Sequence, residues 1–417
     1  MKKKIVFILL FVITKVGAQT STFVTIDSLS KNGRYKMALQ LLSEVHPPSF
    51  LSNYKTAKIY ESIDDYKKSA HFCEEALKLE ENNSVKIQLA KSYQKLKATK
   101  KAILLYEEII EKDSANLLLR YQLAKMYLTT RKAKKAINAF EKLIKEDSLN
   151  ANYSYQLGIA FALKSDRNSM INSFIDAFVK DSTHIKAIYQ LANSFDKLNM
   201  KDSTNLFIKK GLELAPNHIN LNKLRVNQFY KEKNYKEAIA TLKLLDSLTP
   251  NELYTKNMLG KSYYNIGEYD LAKENFEISK KIDAQDFKTY TYLGHIEAKK
   301  ENYKSAISNY MFATFVGKEK RDEEYYGLGF AALKLGNKKQ ALKYFERANK
   351  ENKFNYNVVY QLATLNDSLY KDKKIAYNYY QNYVSNFENK NPEFTQFVEM
   401  RIKEIKKDYF LKGLKLE

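Results

Sequence analysis

The residues best suited to metal or acid–base chemistry are few and scattered. The chain has five histidines, none of which belongs to an HExxH or comparable pattern of metal ligands: His46, His71, His184, His218 and His295. His184 and His218 stand 34 residues apart. In equivalent places of packed neighbouring helices they would lie about 8–10 Å apart, too far to share one metal ion. The sequence therefore predicts ordinary loop histidines and no metal site.

Motifs for nucleophilic and phosphate chemistry are missing or incomplete. Gly260-Lys261-Ser262 resembles the end of a phosphate loop, but Thr255 stands where the first glycine is needed. The single cysteine, Cys73, cannot form an intramolecular disulfide, and it falls on an apolar helix position typical of a core thiol. No GxSxG, GxGxxG or EF-hand loop is found, and the carboxylates are interspersed with lysines. These patterns indicate a chain that is not an enzyme and needs no cofactor.

The composition excludes several classes of protein. Only 12 glycines and 5 prolines occur in 417 residues, too few for the frequent turns of an all-β fold. A hydrophobic fraction of 44% excludes wholesale disorder. The formal net charge is +22, which raises the question of an anionic partner.

The first eighteen residues have the three-part pattern of a secretory signal peptide. A basic start at Lys2–Lys4 precedes the apolar run from Ile5 to Ile13, and the small residues Val16-Gly17-Ala18 precede Gln19. The run is too short to span a bilayer, although a short membrane anchor or a buried helix remains the alternative. No later stretch is long and apolar enough for a transmembrane helix. We expect an exported chain that is soluble in the periplasm or secreted.

A period of 34 residues extends through most of the remaining sequence. Small residues mark it in the middle of one helix: Ala90, Ala124, Gly158, Ala192, Val226, Gly260 and Gly294. Sixteen residues after each of these stands a mostly large apolar residue: Tyr106, Phe140, Phe174, Ile208, Leu242, Phe276 and Tyr310. Apolar residues at steps of three and four predict a pair of helices, in which the small residue lets the large one approach closely.

The connections between these helix pairs also recur. Asp-Ser stands at residues 113–114, 147–148 and 181–182, and prolines follow at Pro216 and Pro250. We expect aspartate and serine to cap the next helix, and proline to end the preceding one.

These residues resemble the tetratricopeptide repeat family, whose helix–turn–helix unit has this period. The resemblance rests on the Leu-Ala or Leu-Gly pair, the small and aromatic positions above, and an aromatic three residues after the small one: Tyr93, Tyr127, Phe161, Phe195, Phe229 and Tyr263. The tryptophan typical of the family is absent throughout. The resemblance implies an all-α solenoid, a right-handed superhelix of such repeats.

The repeats are predicted to occupy nearly all of the exported chain. Residues 1–18 form the signal peptide, and residues 19–385 form a solenoid of about eleven helix pairs, best defined over residues 84–350. Residues 386–417 form a capping helix and tail, because Phe394, Phe397, Val398 and Ile405 recur at helical spacing.

The resemblance implies that the first helix of each pair lines a concave groove for protein or peptide segments. By register this groove contains the following candidate binding residues: Tyr121, Lys125, Tyr155, Tyr189, Asn193, Lys223, Asn227, Tyr230, Lys261, Tyr264, Tyr326 and Tyr360. Tyrosine rings, amides and ammonium groups suit an extended segment that carries acidic groups. Packing of the tyrosines against the next repeat is the alternative. A carboxylate clamp of Lys223, Asn227 and Lys288 lacks its second asparagine, because Met258 stands there.

We therefore expect a non-catalytic scaffold or adaptor in a bacterial envelope, with envelope proteins or peptide segments as partners. The charge favours a second reading, a structural protein held on an anionic lipid or glycan surface. Nucleic acid is not expected as a partner of an exported chain in which lysine greatly outnumbers arginine.

Overall fold

The computed structural model describes residues 22–112, 115–317 and 320–416. In these ranges the secondary structure is helical, without a strand, which confirms the predicted all-α class. No helix there has both the length and the apolar content that crossing a bilayer requires. The predicted signal peptide and the first Asp-Ser connection, at residues 113–114, lie outside the described residues.

The chain divides after Met200 into two units. In its described residues the first unit contains α1 (22–31), α2 (Tyr35–Ser43), α3 (Phe50–Ser62), α4 (Tyr66–Leu79), α5 (Asn83–Lys95), α6 (Thr99–Lys112), α7 (Leu117–Thr129), α8 (Ala133–Glu146), α9 (Ala151–Lys164), α10 (Arg167–Lys180) and α11 (Ile185–Lys197). Consecutive helices pack as pairs from α1 with α2 to α9 with α10.

The second unit starts at Lys201. It contains α12 (Lys201–Leu214), α13 (Ile219–Lys231), α14 (Tyr235–Leu248), α15 (Leu253–Asn265), α16 (Tyr269–Ile282), α17 (Phe287–Lys299), α18 (Tyr303–Val316), α19 (Asp322–Lys334), α20 (Lys338–Glu351), α21 (Tyr356–Leu369), α22 (Lys374–Phe387) and α23 (Pro392–Leu411). Pairs run from α13 with α14 to α21 with α22, and α23 packs on α22.

A large side chain of the second helix packs on the small residue of the first helix in these pairs. A Cβ atom added to Gly158 would lie 2.4 Å from the Phe174 ring, and one added to Gly260 would lie 2.8 Å from the Phe276 ring. Both rings are almost completely buried. Burying one such ring stabilises the fold by about 1.5–3 kcal/mol, so this contact is a main source of pair stability.

The turns inside the pairs use a left-handed residue, with the exception of the turn between α21 and α22. Positive φ angles occur at Gly33, Asp64, Lys97, Arg131, Ser165, Asn199, Lys233, Gly267, Glu301 and Gly336. The next residue then donates its N–H to a carbonyl of the first helix, as Lys132 does to Tyr127 at 2.8 Å. This bond closes the helix end and offsets the strain of about 1–2 kcal/mol that a non-glycine residue has in this conformation.

The connections between pairs correct the capping prediction. Asp147 and Asp181 end the preceding helices, and the caps of the next helices are Asn150 and His184. The His184 Nδ1 accepts the N–H of Ala187 at 3.1 Å. The aspartates are three residues too early to reach the free N–H groups, so Asp181 instead binds the loop through Thr183.

The terminal helix α23 covers the last pair. Its buried residues Val398, Ile405 and Tyr409 join the core of α21 and α22. Arg401 donates two hydrogen bonds to the Asp367 carboxylate, at 2.9 and 3.0 Å, which ties α23 to α21. An apolar face that a further repeat would otherwise cover is thus closed by this helix.

We predict that Phe394→Ala loosens α23, because the Phe394 ring stacks on Tyr360 with centroids 3.9 Å apart. Loss of this half-buried ring should lower the free energy of local opening by about 1–2 kcal/mol, which is about tenfold faster amide exchange over residues 392–411. Hydrogen exchange followed by mass spectrometry checks this. The control is Phe410→Ala on the same helix, where the side chain is 83% exposed. Equal exchange in the two variants would contradict the assigned packing.

Candidate protein-binding groove

The first helices of neighbouring pairs lie side by side within each unit. In the second unit α17 contacts both α15 and α19, and in the first unit α7 contacts α9. The second helices pack behind them, so the remaining face of each row is open to solvent. We call the row in the second unit the second groove and define it by these side chains: Tyr230, Lys261, Tyr264, Tyr292, His295, Tyr326 and Phe330.

A cavity of about 430 Å³ opens in the second groove. Its walls include Tyr264, His295, Tyr326 and Phe330, which come from α15, α17 and α19. All four are half-buried, so each offers a ring face or edge to solvent. In the described part of the chain, the hydroxyls of Tyr264 and Tyr326 have no hydrogen-bond partner. Aromatic walls with available hydroxyls suit the contact of an amphipathic peptide.

The floor of the cavity contains Tyr310, a residue of the second helix α18. Its ring passes between Gly294 of α17 and Gly327 of α19, where added Cβ atoms would lie 2.6 and 2.5 Å from it. Any side chain at these two positions would displace the ring. The two glycines therefore let a core tyrosine bring its hydroxyl up to His295.

His295 connects this buried hydroxyl to an acidic side chain. Its Nδ1 lies 2.7 Å from the Tyr310 hydroxyl, and its Nε2 lies 2.8 Å from Oε1 of Glu323. The hydrogen bond from His295 lowers the pKa of the Glu323 carboxyl, whereas burial raises the pKa of Tyr310. Because the ionised carboxylate only accepts, Nε2 of His295 is the donor to Glu323. The buried Tyr310 phenol, whose pKa is raised, stays protonated at neutral pH and is a poor nucleophile or base.

Lys261 and Lys288 supply positive charge to the second groove. Burial lowers the pKa of Lys261, and the nearby Lys288 ammonium lowers it further. The Lys261 Nζ lies 5.6 Å from the centre of the Tyr292 ring. Within the described residues neither lysine has a carboxylate at ion-pair distance; Asp286 interacts with Lys261, and Glu323 with Lys288, only at longer range. An anionic group placed between them would relieve the repulsion of two like charges.

Lys223 and Asn227, the first part of the predicted clamp, are engaged inside the repeats. The Lys223 Nζ lies 2.8 Å from a carboxylate oxygen of Glu252, and it also lies over the Tyr254 ring. The Tyr254 hydroxyl donates to Oδ1 of Asn227 at 2.9 Å. These contacts join α13 to α15.

Neighbouring side chains hold two tyrosines of the second groove in place. Tyr230 packs edge-on against Tyr235 and accepts a hydrogen bond from Asn265 at 3.1 Å. Tyr264 lies within 5.6 Å of both Tyr269 and Tyr292, measured between ring centres. The rings are fixed in orientation and stay half-exposed.

The first unit has a comparable row on α7, α9 and α11, which we call the first groove. It contains the predicted residues Tyr121, Lys125, Tyr155, Tyr189 and Asn193. The Tyr121 hydroxyl accepts from Asn152 at 2.7 Å, and Lys125 lies 5.5 Å from the Tyr121 ring centre. Tyr155 contacts His184, with ring centres 5.1 Å apart. The four half-buried residues and the exposed Lys125 thus form an open face.

Tyr360 lies in a different setting from the other predicted tyrosines. It is enclosed by the parallel ring of Phe394 at 3.9 Å and by the edge of Phe397 at 6.0 Å, both from α23. The terminal helix therefore occupies the surface that the register assigned to a ligand.

A family model for the tetratricopeptide repeat matches residues 52–83, 119–148, 254–286 and 325–355. Each match covers one helix pair, α3 with α4 and α7 with α8 in the first unit, and α15 with α16 and α19 with α20 in the second. The chain contains tetratricopeptide repeats. Such repeats support a role as a protein–protein interaction scaffold.

Similar solved structures include Tom70 of yeast, at 14% identity and a TM-score of 0.40, covering 92% of this chain and 94% of that one. Cut9 of the APC/C hetero-tetramer Cut9–Hcn1 has 15% identity and a TM-score of 0.46, and the match covers 90% of this chain and 83% of that one. PilF of Pseudomonas aeruginosa has 16% identity and a TM-score of 0.44, and the match covers 53% of this chain and 98% of that one. Comparison with curated proteins finds no match.

Tyr292, His295 and Phe330 of the second groove were not among the predicted site residues. The same is true of Tyr310 and Glu323, which His295 contacts. The predicted Tyr121 and Tyr155 each stand three residues before the small residue of their repeat, whereas Tyr292 stands two residues before Gly294 and so lies outside that register. Glu323 resembles any other surface carboxylate. Tyr310 matches the large apolar position of a tetratricopeptide repeat, so its register indicates core only. The signal that could have identified it is the pair of glycines, Gly294 and Gly327, that flank its ring.

Proposed function

We propose that the chain is a non-catalytic scaffold or adaptor that holds an extended, acidic protein segment along the first helices of its repeats. The observation that carries this proposal is the second groove. There Lys261 and Lys288 lie without acidic ion-pair partners in the described residues, beside the open aromatic cavity of Tyr264 and Tyr326.

The geometry supports capture of a chain segment over binding of a compact small molecule. The groove residues come from successive first helices, so that contacts recur along the row. The tyrosine rings provide broad apolar area with little loss of side-chain entropy, and the two ammonium groups can each donate to a carboxylate. Asp286, which faces this region, is already engaged by Asn257 at 2.9 Å and by Thr289 at 2.8 Å.

Three observations support a non-catalytic role. The titratable cluster most like an active site is Tyr310, His295 and Glu323. Its phenol is 2% exposed, and burial raises its pKa, so it would remain protonated at neutral pH. In the described residues no group of three histidine, cysteine, aspartate or glutamate side chains is placed to hold a metal ion. The other candidate nucleophile, Cys73, is buried, and burial raises its pKa to about 12.

Selection from a random peptide library tests the groove. We expect the selected peptides to be rich in aspartate and glutamate, and their affinity to fall at least tenfold in the double variant Lys261→Gln/Lys288→Gln, because charge-assisted hydrogen bonds are lost. The matched control is Lys236→Gln/Lys243→Gln, which removes the same charge from exposed positions of α14. Titration of fluorescent peptides measures both affinities.

Two results would count against segment capture in the second groove. One is a selection that yields no peptide above background. The other is equal weakening by the groove variant and the α14 control, which would mean that only net charge attracts the peptides.

We also propose that the scaffold acts in a bacterial cell envelope after export. This rests on the sequence of residues 1–18, with its three lysines, short apolar run and small residues before Gln19. The high positive charge is compatible with partners at an anionic envelope surface.

Expression of the full chain in a Gram-negative host tests export. We expect the protein in the periplasmic or secreted fraction, with an N-terminus at Gln19. Val16→Arg/Ala18→Arg should block processing, because bulky charged residues replace the small residues of the cleavage site. Protein that stays in the cytoplasm and begins at Met1 would refute the proposal.

A further inference from the structure

A second surface of the second unit lies on the second helices α18 and α20. The outer side of α18 carries Met311, Phe312 and Phe315, which are 53%, 42% and 86% exposed. Lys304 is the one charged residue of this helix. Three large apolar side chains along two turns form an apolar strip that water contacts directly.

The repeat itself does not require this strip. Corresponding positions carry Glu277, Ile278 and Lys281 in α16. In α20 they carry Glu346, Arg347 and Lys350. The buried positions of α18, such as Ala306 and Tyr310, already provide its packing on the repeats. Phe312 also packs on Tyr290 of α17, with ring centres 4.2 Å apart, so it is anchored at one side and exposed at the other. Phe315, at 86% exposure, is additional to what the packing of the repeats needs.

A row of cations lies on the adjacent helix α20. Lys339, Lys343 and Arg347 follow each other at single-turn spacing, and all three are exposed. None of them forms an ion pair in the described residues. The whole helix has five basic and two acidic residues, so its outer surface is strongly positive.

The apolar strip and the cation row meet at Tyr325. The guanidinium groups of Arg321 and Arg347 each lie 5.8 Å from the centre of this ring. Arg321 also donates to the carbonyl oxygen of Thr314 at 3.0 Å, next to Phe315 at the end of α18. Tyr344 of α20 packs against the α18 core, which holds the two helices together. The two features thus form one continuous surface.

We propose that this surface, defined by Met311, Phe312, Phe315, Lys339, Lys343 and Arg347, docks on an anionic phospholipid bilayer. Phenylalanine side chains that stand out from a helix can enter the boundary between headgroups and acyl chains without a matching pocket. Lysine and arginine beside them bind lipid phosphates and gain from the negative potential of the membrane surface. Charge complementarity decides between occupants, because a second copy of this chain would bring the same unpaired cations to the contact.

Vesicle binding of the full-length mature protein tests the proposal. Vesicles of phosphatidylcholine with about 30% phosphatidylglycerol provide the anionic surface, and phosphatidylcholine alone is the neutral reference. We expect co-sedimentation with the anionic vesicles. Phe312→Ser/Phe315→Ser should weaken it at least tenfold at both about 50 and about 200 mM salt, because apolar contact is insensitive to screening.

The contribution of the cationic half of the surface should depend on salt concentration. Lys339→Gln/Lys343→Gln should weaken binding about thirtyfold at about 50 mM salt and much less at about 200 mM. The control with the same net charge is Lys134→Gln/Lys142→Gln, two exposed positions on α8 of the first unit. It should stay within about twofold of the parent protein.

The absence of tryptophan from the chain allows a direct readout of insertion. In Phe315→Trp the new indole is the sole tryptophan, and its emission should shift to shorter wavelength when anionic vesicles are added. Leu149→Trp, at an exposed loop position of the first unit, should show no shift. Circular dichroism confirms the helical content of every variant.

Several outcomes would overturn membrane docking. These are no binding to anionic vesicles, equal loss in the α8 control, or unchanged emission of Phe315→Trp. Dimerisation of the parent protein that Phe312→Ser/Phe315→Ser abolishes, without any vesicle binding, would instead assign the strip to self-association. The groove variant Lys261→Gln/Lys288→Gln should bind vesicles normally, so this test is independent of segment capture.

Discussion

A helix pair of this period cannot bury its apolar side by itself, and the contact that makes pairing possible is a large ring placed on a helix position without bulk. Phe276 lies directly on Gly260, and Phe174 lies in the same way on Gly158. The backbones approach because the first helix has no side chain there, and the ring then fills the space without a void. Each pair leaves an apolar side for the next one, so the arrangement continues until α23 closes it.

This contact also separates the surfaces of the molecule. The rings point from the second helices towards the first, which leaves the far side of each first helix and the far side of each second helix open to solvent. Tyr310 shows the consequence most clearly, because it is a core ring whose hydroxyl nevertheless reaches His295 in the second groove. The same helix, α18, carries Phe315 on its opposite side. Capture of a segment and attachment to a membrane can therefore operate on different faces of the second unit.

Much of the fold could be predicted from periodicity, because small and large residues at fixed spacing express the pairing contact directly. The left-handed turns inside the pairs could not be predicted from periodicity. Their left-handed residue is lysine at Lys97 and arginine at Arg131, residue types that give no turn signal, and the conformation is imposed by the hydrogen bond that follows. The caps were assigned too early for a related reason, since asparagine and histidine at Asn150 and His184 do the capping.

The candidate site was less predictable than the fold. Register correctly places tyrosines and lysines on the first helices, but it does not reveal their partners. Lys223 is paired with Glu252, whereas Lys261 has no such partner in the described residues, although both occupy first helices. Tyr360 begins the same Tyr-Gln-Leu-Ala sequence as Tyr121, but its ring is covered by Phe394. These differences depend on side chains far away in sequence, which a local pattern cannot include.

The most direct measurement of the central contact is the effect of Gly260→Ala on the midpoint of chemical unfolding, alone and together with Phe276→Leu. Helix propensity by itself would stabilise the alanine variant by about 1 kcal/mol. We predict the opposite, a lower midpoint, because overpacking against the ring costs about 1–3 kcal/mol. We also predict that Phe276→Leu recovers part of this loss in the double variant. A raised midpoint for Gly260→Ala, or strictly additive effects of the two substitutions, would contradict this prediction.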